Sequence, residues 1–313
     1  MGTPEFAVET LKALVENDYN VVAVVTQPDK PVGRHQTEMQ PSQVKQYAVA
    51  HGLPVLQPEK MKDPEFVEQL RSYNANLQVV VAFRMLPEVV WAMPEYGTFN
   101  VHAALLPQYR GAAPINWAVI NGETQTGVTT FFLDHDIDTG RIILKKTFDI
   151  PDEADVEYVY DGLMHLGAEI CLETLEAIIA ANGHPDSIPQ DSVLDGSAIK
   201  PAPKIFKETC EIDWKKTAKQ VYDFVRGLSP YPGAWTTLVA PDGKETVLKI
   251  YKTRKTGKPG KGVGTIIIEG KALCVSAADE QLEIVELQLA GKKRMMARDF
   301  LNGMKQIEDY RVK

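Results

Sequence analysis

Long apolar runs and paired cysteines are both missing from this sequence. No run approaches the roughly 18 apolar residues of a membrane-spanning helix. The three cysteines, Cys171, Cys210 and Cys274, are far apart and odd in number, so they indicate neither a disulfide framework nor a metal site. The first residues carry no basic start and no apolar core, so we expect no export signal and a cytoplasmic protein.

Signatures of covalent catalysis and of metal binding are absent as well. No Gly-x-Ser-x-Gly elbow and no Cys–His signature occurs, and the six histidines show no metal-ligand spacing. Asp134, Asp136 and Asp138 resemble the start of a calcium loop. Such a loop needs glycine and then glutamate where this chain has Thr139 and Lys145. We therefore predict no bound metal.

Charge is unevenly divided along the chain. Residues 200–313 contain 22 Lys and Arg against 14 Asp and Glu, a net charge of +8, whereas residues 1–199 contain 12 against 28, a net charge of −16. Such a division favours a nucleic-acid-binding module joined to another activity, although a basic face is also a common solvated surface. The densest basic group, which would suit a phosphate backbone, consists of Lys252, Arg254, Lys255, Lys258 and Lys261.

The first half of the chain alternates helical and strand patterns. Residues 20–26 and 77–83 are continuous apolar runs, typical of strands buried on both faces. Helical periodicity separates these runs, so the pattern predicts an α/β fold with a doubly wound, mostly parallel sheet. Helices are expected at 9–17, 42–51, 63–73 and 113–121 and from Asp155 onward, and further strands at 127–133 and 142–148.

A change of composition divides the chain in two. Residues 182–203 are polar and rich in proline and glycine, as in a linker. A helix at 217–227 and then short, regularly spaced strands are typical of a small, OB-like β-barrel. The predicted division is a first domain at 1–181, a linker at 182–204 and a second domain at 205–313. The barrel strands are expected at 235–239, 246–252, 264–268, 272–276 and 282–289.

Three polar residues have the chemistry of acyl transfer. Asn100 and His102 are two residues apart, so an extended strand would present them on one side. Asp138 lies in an acidic turn that could fold back against them. An amide can steady an oxyanion, an imidazole can move protons and a carboxylate can orient the imidazole. A lone histidine there would more often be a core residue, so the prediction depends on all three residue types.

Several segments together resemble the folate-dependent formyltransferases. The Asn-Val-His of residues 100–102 and the Asp-Thr-Gly of residues 138–140 are similar to motifs of that whole family. Narrower motifs resemble its methionyl-tRNA formyltransferase branch and extend along almost the whole chain. They lie at residues 2–6, 26–34, 105–115, 126–129, 226–235, 291–293 and 299–301.

The resemblance implies a reaction and a role for each candidate catalytic residue. A formyl group would pass from 10-formyltetrahydrofolate, the co-substrate, to the amino group of methionyl-initiator tRNA by direct attack. Asn100 would donate a hydrogen bond to the developing oxyanion of the tetrahedral intermediate, His102 would relay a proton, and Asp138 would hold His102. The implied fold is of the formyltransferase type with a basic, tRNA-binding C-terminal barrel, and we expect a monomer.

The resemblance also implies binding residues. Those expected to hold tetrahydrofolate are Arg84, Met85, Leu86, Ala104, Leu105, Leu106 and Pro107, the first three through backbone groups beside the pterin. Those expected to bind tRNA are Arg34, Lys204 and Lys207. The family has an apolar strand before the Gly-Thr-Pro of residues 2–4, whereas this chain begins at Met1, so a sheet without that first strand is expected.

Two other functions remain open on the sequence. A formyltransferase acting on an amino-sugar nucleotide or another small amine would share Asn100, His102 and Asp138. A non-catalytic RNA-binding protein on the same fold would share the basic half. The basic half and the Arg-Gly-Leu-Ser-Pro-Tyr-Pro-Gly segment starting at Arg226 favour tRNA as the acceptor, and the three catalytic residue types favour an enzyme.

Overall fold

A computed structural model describes residues 1–32, 38–194, 196–304 and 306–313. These residues form two compact units. The first comprises 1–111, 125–149 and 160–201, and the second comprises 112–124, 150–159 and 202–313. In these described ranges no helix is both long and apolar enough to cross a bilayer.

The elements follow in chain order. The α-helices are α1 Glu5–Glu16, α2 Gln43–Ala50, α3 Pro64–Ser72, α4 Glu88–Trp91, α5 Pro114–Ile120, α6 Val156–Ala180, α7 Ala218–Gly227 and α8 Ala297–Gly303. The strands are β1 Val24–Val25, β2 Lys30–Val32, β3 Glu38–Gln40, β4 Val55–Leu56, β5 Gln78–Val81, β6 Thr98–His102, β7 Gln125–Phe132, β8 Ile142–Asp149, β9 Ala234–Val239, β10 Glu245–Pro259, β11 Ile266–Glu269, β12 Ala272–Ser276, β13 Glu280–Leu289, β14 Met295–Met296 and β15 Arg311–Val312. Short 3-10 helices cover Gln190–Val193, Glu208–Cys210 and Ile307–Asp309.

The predicted parallel pairing is confirmed in the first unit, and antiparallel strands extend it. β1 pairs with β4 in parallel, β5 pairs with β6 in parallel, and β7 and β8 add antiparallel strands beyond β6. Met1 and Gly2 form backbone bonds on both sides: Gly2 N donates to Val25 O at 3.0 Å, and Val81 N donates to Met1 O at 2.9 Å. Two residues thus connect β1 and β5 where the family resemblance led us to expect a missing strand.

Helices cover both faces of the β5–β6 pair. Val80 packs with Phe66 and Leu70 of α3 in one hydrophobic cluster. Val101 lies on the opposite face, because its neighbour Asn100 is the register partner of Val80 and adjacent strand residues point to opposite sides. On that face the methyl group of Val101 is close to the α6 backbone at Gly167. The doubly wound architecture predicted from the apolar runs is therefore confirmed.

The second unit contains a curled antiparallel sheet. Its strand order is β11-β12-β13-β10-β9-β15, with β14 also paired to β13, and a bridge between Thr265 and Arg311 joins the two edges. This agrees with the predicted small barrel. The strand expected at residues 246–252 continues to Pro259, because β10 remains paired with β13 through several register shifts.

Residues 150–159 belong to the second unit through polar contacts with α7. The buried Arg226 side chain donates to the carboxylate of buried Asp223 at 2.8 Å and to the carbonyl of Ala154 at 2.8 Å. The Tyr222 hydroxyl donates to the carbonyl of Asp152 at 2.9 Å. The Thr217 capping box fixes the start of α7, as the Thr-x-x-Gln spacing allows.

Some local expectations were wrong. The apolar run 20–26 forms only the two-residue β1, because Val24 and Val25 alone pair with β4. The region 27–41, expected as a loop, contains the antiparallel pair β2–β3. The helices α4 and α8 are too short to show a periodic pattern, and the sequence analysis missed both. Residues up to Pro201 of the predicted linker belong to the first unit.

Candidate active site

Asn100 and His102 lie near the carboxyl end of β6. They share one face of the strand, and Phe131 of β7 pairs with Asn100 and meets the His102 ring edge-on at 6.3 Å between ring centres. In α/β sheets, ligands bind where parallel strands end, and β5 ends at the same edge. The imidazole of His102 is 6% exposed, so its polar atoms need partners within the protein.

Both ring nitrogens of His102 face an acceptor. Nε2 lies 2.9 Å from the backbone carbonyl oxygen of Tyr109, and Nδ1 lies 4.0 Å from a carboxylate oxygen of Asp138. A carbonyl can only accept, so Nε2 carries a hydrogen and donates it to Tyr109. Nδ1 is therefore the nitrogen that gains or loses a proton, and it does so facing Asp138.

Left-handed backbone positions both of these acceptors. Tyr109 has φ +62° and Asp138 has φ +56°, values that side chains other than glycine rarely adopt. The Asp138 carboxylate also accepts the backbone N–H of Gly111 at 3.0 Å. Strain of this kind costs on the order of 1–3 kcal/mol per residue and occurs preferentially at functional sites.

The amide of Asn100 has unused hydrogen-bonding capacity. Among the described residues, its buried Oδ1 has no partner. Nearly all buried polar atoms in proteins are paired, and exceptions often mark a site that a ligand completes. The amide of Asn100 is therefore free to serve a bound molecule beside His102.

The chain after His102 folds inward as far as Pro107. Ala104 and Leu106 are fully buried, and Leu105 is half-buried. The Thr129 hydroxyl accepts the Leu106 N–H at 3.1 Å and donates to the Ala104 carbonyl at 2.6 Å. Pro107 follows a cis peptide bond and is buried. The side chains of Ala104, Leu106 and Pro107 thus pack in the interior in this structure.

The three other predicted folate residues line an open groove of about 560 Å³. Arg84 and Met85 follow β5, and Met85 is 70% exposed. The Arg84 guanidinium donates to the carbonyls of Pro58 and Glu59, while its buried Nε has no partner among the described residues. Burial lowers the pKa of Arg84 below its usual value. The other lining residues are Lys60, Met61, Lys62, Leu86, Pro87, Glu88, Trp91 and His135.

Comparison with known proteins identifies the family. Family models described as formyl transferase and as formyl transferase, C-terminal domain, match residues 1–175 and 204–305. The chain belongs to the formyl transferase family. It is 60% identical over 317 residues to the methionyl-tRNA formyltransferase of Parabacteroides distasonis, covering 100% of this chain and 97% of the relative.

Solved formyl transferases share the fold at low sequence identity. WlaRD, a sugar 3N-formyl transferase, has a TM-score of 0.65 at 19% identity, over 93% of this chain and 97% of WlaRD. HypX from Aquifex aeolicus, solved in complex with tetrahydrofolic acid, has a TM-score of 0.55 at 22% identity, over 81% of this chain and 43% of HypX. These likenesses concern the fold alone.

Sequence reasoning missed two contributors to the candidate site of this formyl transferase. One is the Tyr109 carbonyl, whose N–H in turn donates to the carbonyl of Lys200 at 2.7 Å. The other is Gln190, 3% exposed, whose amide Nε2 donates to the carbonyl of Asp138. A backbone carbonyl has no sequence signature, and Gln190 lies in a polar stretch without periodicity. Its position directly after Pro189 in the predicted linker was the only local signal.

The predicted tRNA-binding residues are away from regular structure. Arg34 falls outside the described residues. Lys204 and Lys207 are exposed in the second unit, and the Lys204 ammonium lies 5.5 Å from the centre of the Phe206 ring. The dense basic group of β10 is partly neutralised: Arg254 pairs with Glu283, Lys255 with Asp152 and Lys258 with Glu269.

The described part of the chain contains no group of three or more His, Cys, Asp or Glu side chains that could hold a metal ion. All three cysteines are buried. Burial raises the pKa of the Cys171 thiol to about 12, so this sulfur is a neutral core group at physiological pH.

Proposed function

We propose that this chain transfers a formyl group from 10-formyltetrahydrofolate to the amino group of methionyl-initiator tRNA, for translation initiation. The observation that carries the proposal is the unpartnered Asn100 amide beside the His102 imidazole, which is held between Tyr109 and Asp138. The 60% identical relative of full length, named a methionyl-tRNA formyltransferase, supports the choice of acceptor.

Asn100 supplies the stabilisation of developing negative charge. The folate supplies the formyl group, whose carbonyl oxygen becomes negative when the amine attacks. The Asn100 Nδ2 group donates a hydrogen bond to that oxygen, and its burial strengthens the interaction because little water competes. Loss of one such donor typically costs about 2.7–4 kcal/mol of transition-state stabilisation.

His102 moves the proton that the attacking amine must lose. Because Nε2 is committed to Tyr109, Nδ1 is the nitrogen with a free lone pair, and the 4.0 Å gap to Asp138 leaves it accessible to a proton. The Asp138 carboxylate attracts the imidazolium that forms and holds the ring in place. Asp138 is thus a positioning residue, and Asn100 and His102 act on the reacting atoms.

The groove beside Arg84 fits the chemistry of a folate. In the part of the chain that the structure describes, the backbone N–H and C=O groups of Arg84, Met85 and Leu86 form no hydrogen bond, so they are available to the polar edge of a pterin. Trp91 provides an aromatic wall, and the exposed Lys60 and Lys62 provide positive charge for the carboxylates of the glutamate tail. The fully buried side chains of Ala104 and Leu106 would shape this region from beneath.

The basic second unit suits the tRNA acceptor. We propose that Lys204 and Lys207, both exposed, contact its phosphates together with Arg34. In this scheme residues 1–181 carry catalysis, residues 182–204 connect, and residues 205–313 bind tRNA. We further propose that the chain acts as a cytoplasmic monomer, which light scattering of the purified protein would test.

An acceptor panel tests the proposal. Purified protein is incubated with 10-formyltetrahydrofolate and methionyl-initiator tRNA, an amino-sugar nucleotide, or no acceptor, and release of tetrahydrofolate is followed. Release that depends on the charged tRNA supports the proposal. Release only with the amino sugar supports the small-amine alternative, and salt-dependent tRNA binding without any release supports a non-catalytic RNA-binding protein.

A further inference from the structure

Gln190 connects the two loops that flank His102. Its Nε2 group donates to the backbone carbonyls of Asp138 at 2.8 Å and Gly140 at 2.9 Å. Its Oε1 atom accepts from Nε and Nη2 of Arg110 at 3.0 and 2.7 Å. A primary amide has two donor hydrogens and two acceptor lone pairs, so the side chain of Gln190 is fully satisfied. It is also 3% exposed.

Each loop that Gln190 joins contributes one partner of His102. Arg110 lies between Tyr109, whose carbonyl accepts from Nε2, and Gly111, whose N–H donates to the Asp138 carboxylate. The other loop carries Asp138 itself. The left-handed backbone of Asp138 is unfavourable by itself, so contacts from outside the loop must maintain it. The two carbonyl bonds from Gln190 are such contacts.

We propose that Gln190 is a positioning residue for the transfer reaction, acting by holding the Asp138 carboxylate against His102. This inference rests on the proposed function. It assigns part of the predicted linker to the catalytic apparatus: the 3-10 helix Gln190–Val193 sets the geometry of a site whose reacting groups come from β6.

Two substitutions separate the bonds of Gln190. Gln190→Met keeps the length of the side chain and removes every hydrogen bond. Gln190→Glu keeps an acceptor for Arg110 but faces the carbonyls of Asp138 and Gly140 with oxygen instead of N–H. We expect both to lower kcat by about 10–100-fold, because small displacements of catalytic groups have effects of this size, with KM for folate and tRNA within about twofold.

Gln108 offers a matched control. It also joins the loop after His102 to the 182–201 segment, accepting from the Lys200 N–H at 2.7 Å and donating to Ser197 and Ala198 at 3.4 Å, but it does not touch the Asp138 loop. Gln108→Met should keep kcat within about threefold of wild type. Equal losses of kcat in Gln108→Met and Gln190→Met would overturn the proposal, because general anchoring of the segment would then explain both.

A double-mutant cycle distinguishes positioning from general stability. If Gln190 acts through Asp138, then adding Gln190→Met to Asp138→Asn lowers kcat no further than Asp138→Asn alone. Multiplicative losses, or a Gln190→Glu variant with wild-type kcat, contradict the proposal. If Gln190→Met fails to fold by its melting curve, Gln190→Glu carries the test. A folded wild-type protein without formyl transfer would instead refute the proposed function, which keeps the two failures distinct.

Discussion

The Nε2 atom of His102 lies 2.9 Å from the backbone carbonyl oxygen of Tyr109. This bond fixes the tautomer of the imidazole, because only a protonated nitrogen can donate to a carbonyl. It leaves Nδ1 as the proton-exchanging atom on the side of Asp138, 4.0 Å away. The chemistry of the site therefore depends on the left-handed backbone of Tyr109, which directs that carbonyl at the ring.

The tautomer is directly measurable. In protein labelled with ¹⁵N-histidine, we expect the neutral His102 ring to give the correlation pattern of the Nε2–H form. His102→Gln identifies the signal by its disappearance. Exposed His184 provides an internal comparison. An Nδ1–H pattern for neutral His102 would contradict the assigned direction of proton transfer.

Gly140 should tolerate no side chain. A Cβ at this position would lie 1.6 Å from the Phe132 carbonyl oxygen, a backbone atom that cannot move aside without disturbing β7. We expect Gly140→Ala to displace the neighbouring Asp138, reduce kcat by at least about 100-fold and destabilise the fold by about 1–3 kcal/mol. Gly303→Ala is the matched control, since nothing lies within 4 Å of its Cβ. Unchanged kcat in Gly140→Ala would count against the required loop geometry.

The shared face of Asn100 and His102 was predictable because the two-residue repeat of a strand is a local property. The approach of Asp138 was only a possibility on the sequence, since 36 residues separate it from His102 and its backbone is left-handed without being glycine. The roles of Tyr109 and Gln190 were not predictable. One acts through a backbone carbonyl, and the other is a buried glutamine in a stretch whose composition indicates exposure.

The larger architecture was predictable where periodicity was long. The apolar run 77–83 gave a correct strand because its flanking helices bury both faces. The equally apolar run 20–26 was wrong in extent, because pairing with β4 involves only two residues. Strand length in a sheet is set by the partner strand, which the local sequence does not contain.

The groove lysines should affect folate alone. Lys60→Ala combined with Lys62→Ala removes positive charge from the groove rim, so we expect KM for 10-formyltetrahydrofolate to rise about 3–30-fold while KM for tRNA and kcat stay within about twofold. The effect should shrink as salt increases. Lys12→Ala, on α1 outside the groove lining, is the control. A selective rise in KM for tRNA would show that these lysines serve the other substrate.

The buried thiols should report on unfolding. Burial raises the pKa of Cys171 from 9.0 to about 12 and that of Cys274 from 9.0 to about 11. We expect neither to react with iodoacetamide at pH 8 until the protein unfolds. The unfolded thiols ionise at lower pH than the folded ones, so stability should fall as pH rises above about 9. Rapid alkylation of the native protein would contradict this burial.

Formyl transfer to methionyl-initiator tRNA by wild type, Asn100→Ala and His102→Ala tests the central claim most directly. The account predicts efficient transfer of labelled formyl by wild type and a loss of at least about 100-fold in each variant, with melting temperatures close to wild type. Near-normal transfer by either folded variant would contradict the assigned site. No transfer by the folded wild-type protein would contradict the proposed function.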